Sequence, residues 1–295
     1  MRIEVAPTEP EVLCFGEILW DFLPTGRFAG GAPFNVAYHL QHLGIAARVI
    51  SAVGSDPLGD ELLDYLALRE VDAHGVKRHP FLPTGTVTAS VGAQGDATYT
   101  IAAPVAWDEI ALTDQTRAVV ENCRALVFGS LAQRLSVNRQ TLDELLTLLP
   151  SRAERVFDVN LRSPFDDVEL VARYAKHATL LKLNDREAQR LAALSGEEAN
   201  SEEAQARALA KRFGCARVCI TAGDRGAGIL EEGQWTWSVG ERVSVVDTIG
   251  AGDAFLAALV ASRLRNTPTT EGLREACRLG EWVASQKGAT PEYRR

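Results

Sequence analysis

The chain has 295 residues, of which 46% are hydrophobic and 24% charged, and a formal net charge of −8. This length suits one large α/β domain or two small ones. Nucleic acid and anionic membranes both require a broad basic surface, so the charge argues against either as a partner, although a small anionic ligand needs only a local positive field.

The compartment is indicated by the cysteines and the first residues. The five cysteines are scattered without a CxxC pair, and "MRIEVAPTEPEVLCF" has acids and prolines where a signal peptide needs basic and apolar residues. The longest uninterrupted apolar run, 254–261, is far too short to span a membrane. We therefore expect a cytoplasmic protein.

Apolar strand patterns alternate with helical patterns along most of the chain. The first strand, "EVLCFGEI", precedes the helix "PFNVAYHLQHLG", the strand "ARVISAVG" and the helix "PLGDELLDYLALRE". Four more buried strands are predicted at "CRALVFGS", "RVFDVN", "TLLKLN" and "ARVCITAG". Continuous apolar strands separated by helices predict a mainly parallel sheet covered on both faces, a three-layer α/β/α fold.

One region departs from this pattern. "TGTVTASVGAQGDATYTI", residues 84–101, alternates polar and apolar residues on both sides of a turn at Gly92 to Gly95, which predicts a β-hairpin with one solvated face. The stretch 19–31 is a further strand candidate for it. We expect one domain over 1–295 with a small β subdomain from about 17–31 and 80–106.

The stretch "VSVVDTIGAGDAFLAALV", residues 243–260, is interpreted as a strand end, a glycine turn and a buried helix. Glycines at 250 and 252 let several backbone N–H groups converge, and a helix N-terminus adds partial positive charge, so the turn predicts an anion site. Asp253 at its edge could take a proton from a hydroxyl nucleophile.

The glycine turn has three alternative interpretations: a helix cap, a dinucleotide fingerprint and a P-loop. A plain helix cap remains open. A dinucleotide fingerprint is excluded because Phe255 stands where its third glycine would fall, and a P-loop is excluded because the chain contains no Gly-Lys dipeptide.

Three stretches together resemble the PfkB, or ribokinase-like, family of carbohydrate kinases. "DTIGAGDAF" is similar to one family signature, "GGAPFNVAYHLQHLG" to the other, and "AVGSDPLGDELLDYL" follows at the family's usual place. The resemblance runs from about residue 11 to the end. It implies a ribokinase-like fold in which the small sheet is a lid over the sugar.

The resemblance assigns roles to the glycine turn. Asp253 matches the catalytic base, and the backbone of Gly250, Ala251, Gly252 and Asp253 matches the anion hole for the transferred phosphoryl group. Asp247 lies where many members bind a monovalent cation, usually potassium; a cap of the turn is the alternative for this residue.

Sugar-binding residues are implied near the N-terminus. Gly30, Gly31 and Asn35 match the family's sugar-binding stretch, and an amide can both donate to and accept from hydroxyl groups. Asp21, in "GEILWDFLP", matches a carboxylate that grips the sugar, with a solvated loop residue as the alternative.

The nucleotide side is implied by two further elements. "TAGDRG" matches the nucleotide loop, with Thr221, Gly223 and Gly226 as phosphate or ribose contacts. In "NDRE", residues 184–187, Asn184 and Glu187 form either a helix capping pair or an element that organises Mg²⁺ and phosphate, Glu187 acting through water; both roles are compatible.

One basic residue at a strand end has two interpretations. Arg162, in "DVNLR", either brings positive charge to the phosphates or forms a surface ion pair.

Three stretches look most like fructokinase-type members: "GEILWDFLP", "APVAWDEI" and "FGSLAQR". We therefore expect ATP-dependent phosphorylation of D-fructose at its 6-hydroxyl, with ATP and Mg²⁺ and with K⁺ as an optional cation. The alternatives are a related kinase for ribose, ketodeoxygluconate or adenosine, and an inactive sugar-sensing protein. Family members often dimerise through the lid, so a homodimer is the expected assembly.

Overall fold

Alternating strands and helices form a layered structure in the computed structural model, which describes residues 9–24, 26–91, 97–194 and 199–293. The strands are β1 (Val12–Phe15), β2 (Leu19–Leu23), β3 (Gly26–Gly30), β4 (Ala47–Gly54), β5 (Asp72–His79), β6 (Gly85–Val91), β7 (Ala97–Ile101), β8 (Ala125–Gly129), β9 (Glu154–Asp158), β10 (Leu180–Asn184), β11 (Arg217–Thr221), β12 (Gly226–Glu231) and β13 (Gln234–Val239). The helices are α1 (Ala32–His42), α2 (Pro57–Leu68), α3 (Asp114–Val120), α4 (Ser136–Leu148), α5 (Val168–Ala175), α6 (Asp185–Ala193), α7 (Glu202–Phe213), α8 (Ala251–Leu264) and α9 (Thr269–Ala284).

The central sheet has nine strands in the order β13-β12-β11-β10-β9-β8-β1-β4-β5. The seven strands from β11 to β5 in this order are parallel, whereas β12 and β13 are added antiparallel at one edge. After β1 the chain adds β4 and β5 on one side of this strand, and later β8 to β13 on the other side. The neighbouring strands β1 and β8 therefore mark a topological switch point, where open α/β sheets bind ligands.

Both faces of this sheet are covered, as predicted for a three-layer α/β/α fold. In β1, Val12 and Cys14 enter one hydrophobic cluster, and Leu13 and Phe15 enter the other. Helices α1, α2, α8 and α9 contribute to the first cluster and α3 to α7 to the second. None of the helices in the described ranges is both long and apolar enough to cross a membrane.

The predicted second sheet is present and has the strand order β3-β2-β6-β7. It draws on two separate stretches of the chain, because β2 pairs antiparallel with β3 and parallel with β6, and β6 pairs antiparallel with β7. The predicted turn at Gly92 to Gly95 lies outside the described residues.

The prediction of a strand at "VSVVD" is wrong. Residues 241–248 have no strand structure, and Val245 and Val246 are 60% and 63% exposed. The segment joins the rest of the fold through the N–H groups of Val246 and Asp247, which both donate to Ala284 O at 2.9 and 3.2 Å. An apolar run of this length resembles a buried strand in sequence, but here it leaves the sheet and lines a cavity.

Candidate active site

The glycine turn forms the N-terminus of α8. Gly250 is the N-cap residue, with φ 78° and no side-chain cap bond to the helix. A Cβ at Gly250 would lie 2.4 Å from the Cβ of Ala289, so both the conformation and the close approach require glycine. A helix start without a side-chain cap presents its N–H groups and its positive end to an anion. This geometry supports the predicted anion site at residues 250–253, which is called the anion cup below.

Asp253 lies in the first turn of α8 and is joined to α1 by a hydrogen bond. The Nδ2 group of Asn35 donates to Asp253 Oδ2 at 2.8 Å, and both side chains are buried. Burial, and after it the negative charge of Asp158, raises the pKa of Asp253, while the Asn35 bond partly offsets this rise. A raised pKa makes the carboxylate a better proton acceptor, which suits a general base.

The predicted sugar-binding glycines pack against two carboxylate residues. A Cβ at Gly30 would lie 2.3 Å from Asp21 Oδ2, and a Cβ at Gly31, whose φ is 115°, would lie 2.3 Å from Glu17 O. Burial raises the pKa of Asp21 to about 6, and the charge of Arg162 lowers it in part. Asp21 lies on β2 and is only partly exposed, which does not agree with the alternative of a solvated loop residue.

Arg162 faces this group of acids from the end of the β9 segment. Its charge lowers the pKa of Glu17, Asp21 and Asp253. Within the described part of the chain, its guanidinium donates to Leu161 O and has no ion pair. The surface ion pair that was one interpretation of Arg162 is therefore not formed there.

A cavity of about 520 Å³ lies on the other side of the cup, a volume typical of small-ligand sites. The predicted nucleotide residues Thr221, Gly223 and Gly226 line it, and so do Ala251 and Gly252 of the cup. Its apolar lining includes Val243, Val245, Phe255, Cys277 and Ala284, which the sequence analysis did not assign. The cup thus separates this cavity from the Asp21–Asn35 side.

Asn184 and Glu187 form the predicted capping box at the start of α6. Asn184 Oδ1 accepts from Glu187 N at 2.9 Å, and Glu187 Oε2 accepts from Asn184 N at 3.0 Å. Glu187 Oε1 also accepts from Leu161 N at 2.7 Å, and burial raises the pKa of this carboxyl. Asn184 is absent from the described lining of the cavity.

The fit of Mg²⁺ follows from these contacts. Both oxygens of Glu187 already accept backbone hydrogen bonds, and the described residues contain no cluster of three His, Cys, Asp or Glu side chains that could hold a metal. Mg²⁺ keeps several waters and binds substrate phosphates, so the described residues fit it through water and ATP rather than through a protein cage.

Asp247 connects the turn before α8 to the loop after α9. Its Oδ1 accepts from Ile249 N at 3.0 Å, which is a turn cap, and its Oδ2 accepts from Gly288 N at 3.2 Å. Each oxygen retains a lone pair, so the cap and a monovalent cation are compatible.

A buried ion pair beneath the cup was missed in the sequence. Lys182 Nζ lies 3.0 and 3.1 Å from the two oxygens of Asp158, which is its register partner on β9. A Cβ at Gly252 would lie 3.3 Å from Lys182 Nζ, so the ammonium sits directly against the anion cup. Asp158, Asp253 and Glu187 all raise the pKa of Lys182, although burial opposes them. The only sequence signal was a lysine inside the apolar run "TLLKLN".

The fold places the protein among α/β proteins whose ligand crevice lies at the carboxyl ends of the strands. Residues 5–293 match the pfkB family of carbohydrate kinases, so the chain belongs to that family and is a kinase.

Relatives agree with this assignment. The fructokinase of Escherichia coli is 29% identical over 297 residues, which cover 95% of this chain and 94% of that protein. A fructokinase from Xylella fastidiosa with bound ATP has a TM-score of 0.83 at 22% identity, covering 96% of this chain and 94% of that one. A fructokinase double mutant from Vibrio cholerae O395, with fructose, ADP and potassium ion bound, has a TM-score of 0.80 at 23% identity, covering 97% and 95%.

Proposed function

We propose that the protein transfers the γ-phosphoryl group of ATP to the 6-hydroxyl of D-fructose. The observation that carries this proposal is the Asn35–Asp253 hydrogen bond of 2.8 Å. Asn35 and Asp253 are 218 positions apart and lie in the two stretches that resemble the family signatures, so the bond brings these stretches together beside the cup. The nucleotide would occupy the 520 Å³ cavity and the sugar the Asp21 side, with the cup between them.

The proposed reaction assigns a task to each residue. Asp253 takes the proton of the sugar hydroxyl as the oxygen attacks the γ-phosphorus, and the bond from that phosphorus to the bridging oxygen of ADP breaks. The N–H groups at Gly250 to Asp253 stabilise the charge on the transferred group. Mg²⁺, when bound with ATP, would neutralise phosphate charge. Asn35 orients the base, and Asp21 orients the sugar.

The charges around the acceptor side favour a neutral sugar. Three acids, Glu17, Asp21 and Asp253, lie within range of Arg162. Lys182 also acts on Asp253, but its own charge is paired with Asp158. Arg27, which is close to Gly30 in sequence, is paired with Glu61. A sugar phosphate would meet more negative than positive charge here. The fructokinase names of the relatives support D-fructose among the neutral sugars.

Arg162 also supports a second candidate. Because it is exposed and has no described ion pair, it could hold the carboxylate of a sugar acid such as ketodeoxygluconate. Replacing Arg162 with Met separates the two acceptors. It is expected to impair a sugar acid far more than fructose.

The product identifies the reaction. Wild-type protein incubated with MgATP and D-fructose should yield fructose 6-phosphate, which a coupled isomerase and dehydrogenase assay detects selectively. Formation of the 1-phosphate, with no signal from the 6-phosphate, would contradict the assigned hydroxyl. Consumption of ketodeoxygluconate alone would favour the second candidate.

The small sheet is proposed as the lid and as a dimer contact. Its edge strands β3 and β7 carry backbone groups that can pair with a second copy. Light scattering should give the mass of a dimer, and a monomer at micromolar concentration would contradict this assembly.

A further inference from the structure

Glu17 is a buried acid beside the proposed sugar site that the reaction described above does not use. It follows β1 at the switch point and is 5% exposed. Its Oε1 accepts a hydrogen bond from Ala32 N at 3.3 Å, at the start of α1. Its Oε2 is buried and has no hydrogen-bond partner among the described residues.

The side chain of Asn35, like that of Glu17, has one polar atom in a hydrogen bond and one without a hydrogen-bond partner in the described structure. Its Nδ2 donates to Asp253, whereas its Oδ1 is buried without a partner in the described structure. Glu17 and Asn35 thus present two unsatisfied acceptors near the first turn of α1. Buried acceptors in native proteins are nearly always paired, so two neighbouring ones indicate donors supplied by something that binds there.

The two acceptors share the space next to the base. Asn35 contacts Asp253 directly, and the charge of Asp253 acts on Glu17. Arg162 acts on Glu17, Asp21 and Asp253 together. Contacts support the same placement, because a Cβ at Gly30 would lie 2.3 Å from Asp21 Oδ2 and a Cβ at Gly31 would lie 2.3 Å from Glu17 O, just before the first turn of α1.

We infer that Glu17 Oε2, with the carboxyl group ionised, and Asn35 Oδ1 accept hydrogen bonds from two hydroxyl groups of the acceptor, which makes Glu17 a specificity-determining residue. The ligand class is a polyol with hydroxyl groups near the phosphorylated carbon. This inference rests on the proposed function and adds Glu17 to it. A sugar that lacks the matching hydroxyl leaves Glu17 unsatisfied and is selected against.

A mutant cycle with deoxy sugars tests the inference. Wild type and Glu17→Gln are compared by kcat/KM on D-fructose and its 1-, 3- and 4-deoxy analogues, with ADP followed in a coupled assay. The amide keeps an oxygen for Ala32 N but replaces Oε2 with a donor. We expect Glu17→Gln to lose about tenfold on fructose, as for a hydrogen bond to an ionisable group, but less than about twofold on one analogue.

Glu11→Gln is the matched control. Glu11 precedes β1 at the opposite end from Glu17 and pairs with Arg124, so all four sugars should react as with wild type. If Glu17→Gln does not fold, Glu17→Asp takes its place in the cycle, because it keeps a carboxyl group and shortens its reach.

The outcomes separate the inference from the proposed function. Equal losses on every analogue, or no loss on any, would show that Glu17 only supports α1 and would overturn the inference while fructose phosphorylation stands. If wild type instead phosphorylates ribose, the fructose proposal fails. The same cycle with 2- and 3-deoxyribose then decides the role of Glu17, and coupling at one hydroxyl supports it. A wild type that phosphorylates no polyol overturns both.

Discussion

Replacing Glu17 with Gln should stabilise the ligand-free protein, and increasingly so as the pH rises. Burial raises the pKa of the Glu17 carboxyl from its ordinary 4.5 to about 7, the charge of Asp253 adds to this rise, and Arg162 and the Ala32 N–H oppose it. Below pH 4.5 the folded and unfolded chains are both protonated at this site. Between pH 4.5 and 7 the unfolded chain ionises while the folded one stays protonated, so wild type loses stability.

The magnitude follows from the two pKa values. Each tenfold change in proton affinity is worth about 1.4 kcal/mol, so a pKa raised from 4.5 to about 7 removes about 3 kcal/mol of wild-type stability at pH 8. Glutamine has no proton to lose and avoids this penalty. Most of the difference should appear between pH 5 and 7, and it should level off above pH 7.

Urea unfolding at constant ionic strength, from pH 5 to 8.5, measures this difference. The raised pKa of Asp21 affects wild type and variant alike and cancels in the comparison. Glu11→Gln, at an ion-paired surface position, should show no such trend. A Glu17→Gln advantage that stays constant with pH, or that shrinks as pH rises, would refute the assignment of Glu17 as a buried acid that resists ionisation.

Variants at Asp253, Gly250 and Lys182 test the cup, with Gly214 as a control position. Asp253→Asn keeps the shape of the side chain but cannot accept a proton, so kcat should fall at least about a thousandfold with the fold intact, and near-native kcat would remove Asp253 from the base role. Gly250 and Gly214 both have positive φ, but of these two only Gly250 would place a Cβ against other atoms. Urea unfolding should therefore show a loss of stability of about 1 kcal/mol for Gly214→Ala and clearly more for Gly250→Ala. Equal losses would contradict the close packing at Gly250. Lys182→Met leaves the Asp158 charge buried and unpaired and should cost about 3–5 kcal/mol of stability. The double variant Lys182→Met with Asp158→Leu should recover stability but not kcat. A double variant with native kcat would exclude a role of the pair in catalysis.

Local signals accounted for much of the fold. The alternation of apolar strands and helices predicted the layered sheet, because strands covered on both faces need apolar residues at every position. The period-two pattern at 84–101 predicted the second sheet for a different reason, because successive side chains of a strand point to opposite faces and a sheet with one solvated face therefore alternates polar and apolar residues. The error at "VSVVD" has a clear cause, since valines that line a cavity and valines that fill a core have the same pattern in sequence.

The site was only partly accessible from the sequence. The glycine turn before Asp253 could be predicted because its physics is local, residing in backbone conformation and the helix N-terminus, whereas its role as an anion site stays a prediction. The Asn35–Asp253 bond depends on the packing of α1 against α8, and the Lys182–Asp158 pair depends on the order of strands in the sheet. The unsatisfied oxygen of Glu17 is a property of tertiary packing, and a glutamate after a strand carries no local sign of it.

Sugar-dependent release of ADP is the most direct test of the central claim. Wild type and Asp253→Asn are incubated with MgATP and, separately, fructose, ribose, ketodeoxygluconate, adenosine and fructose 1-phosphate. ADP formation should depend on the sugar, be fastest with fructose and be nearly abolished in the variant. No sugar-dependent ADP from any of the five compounds, or equal rates from wild type and Asp253→Asn, would contradict it.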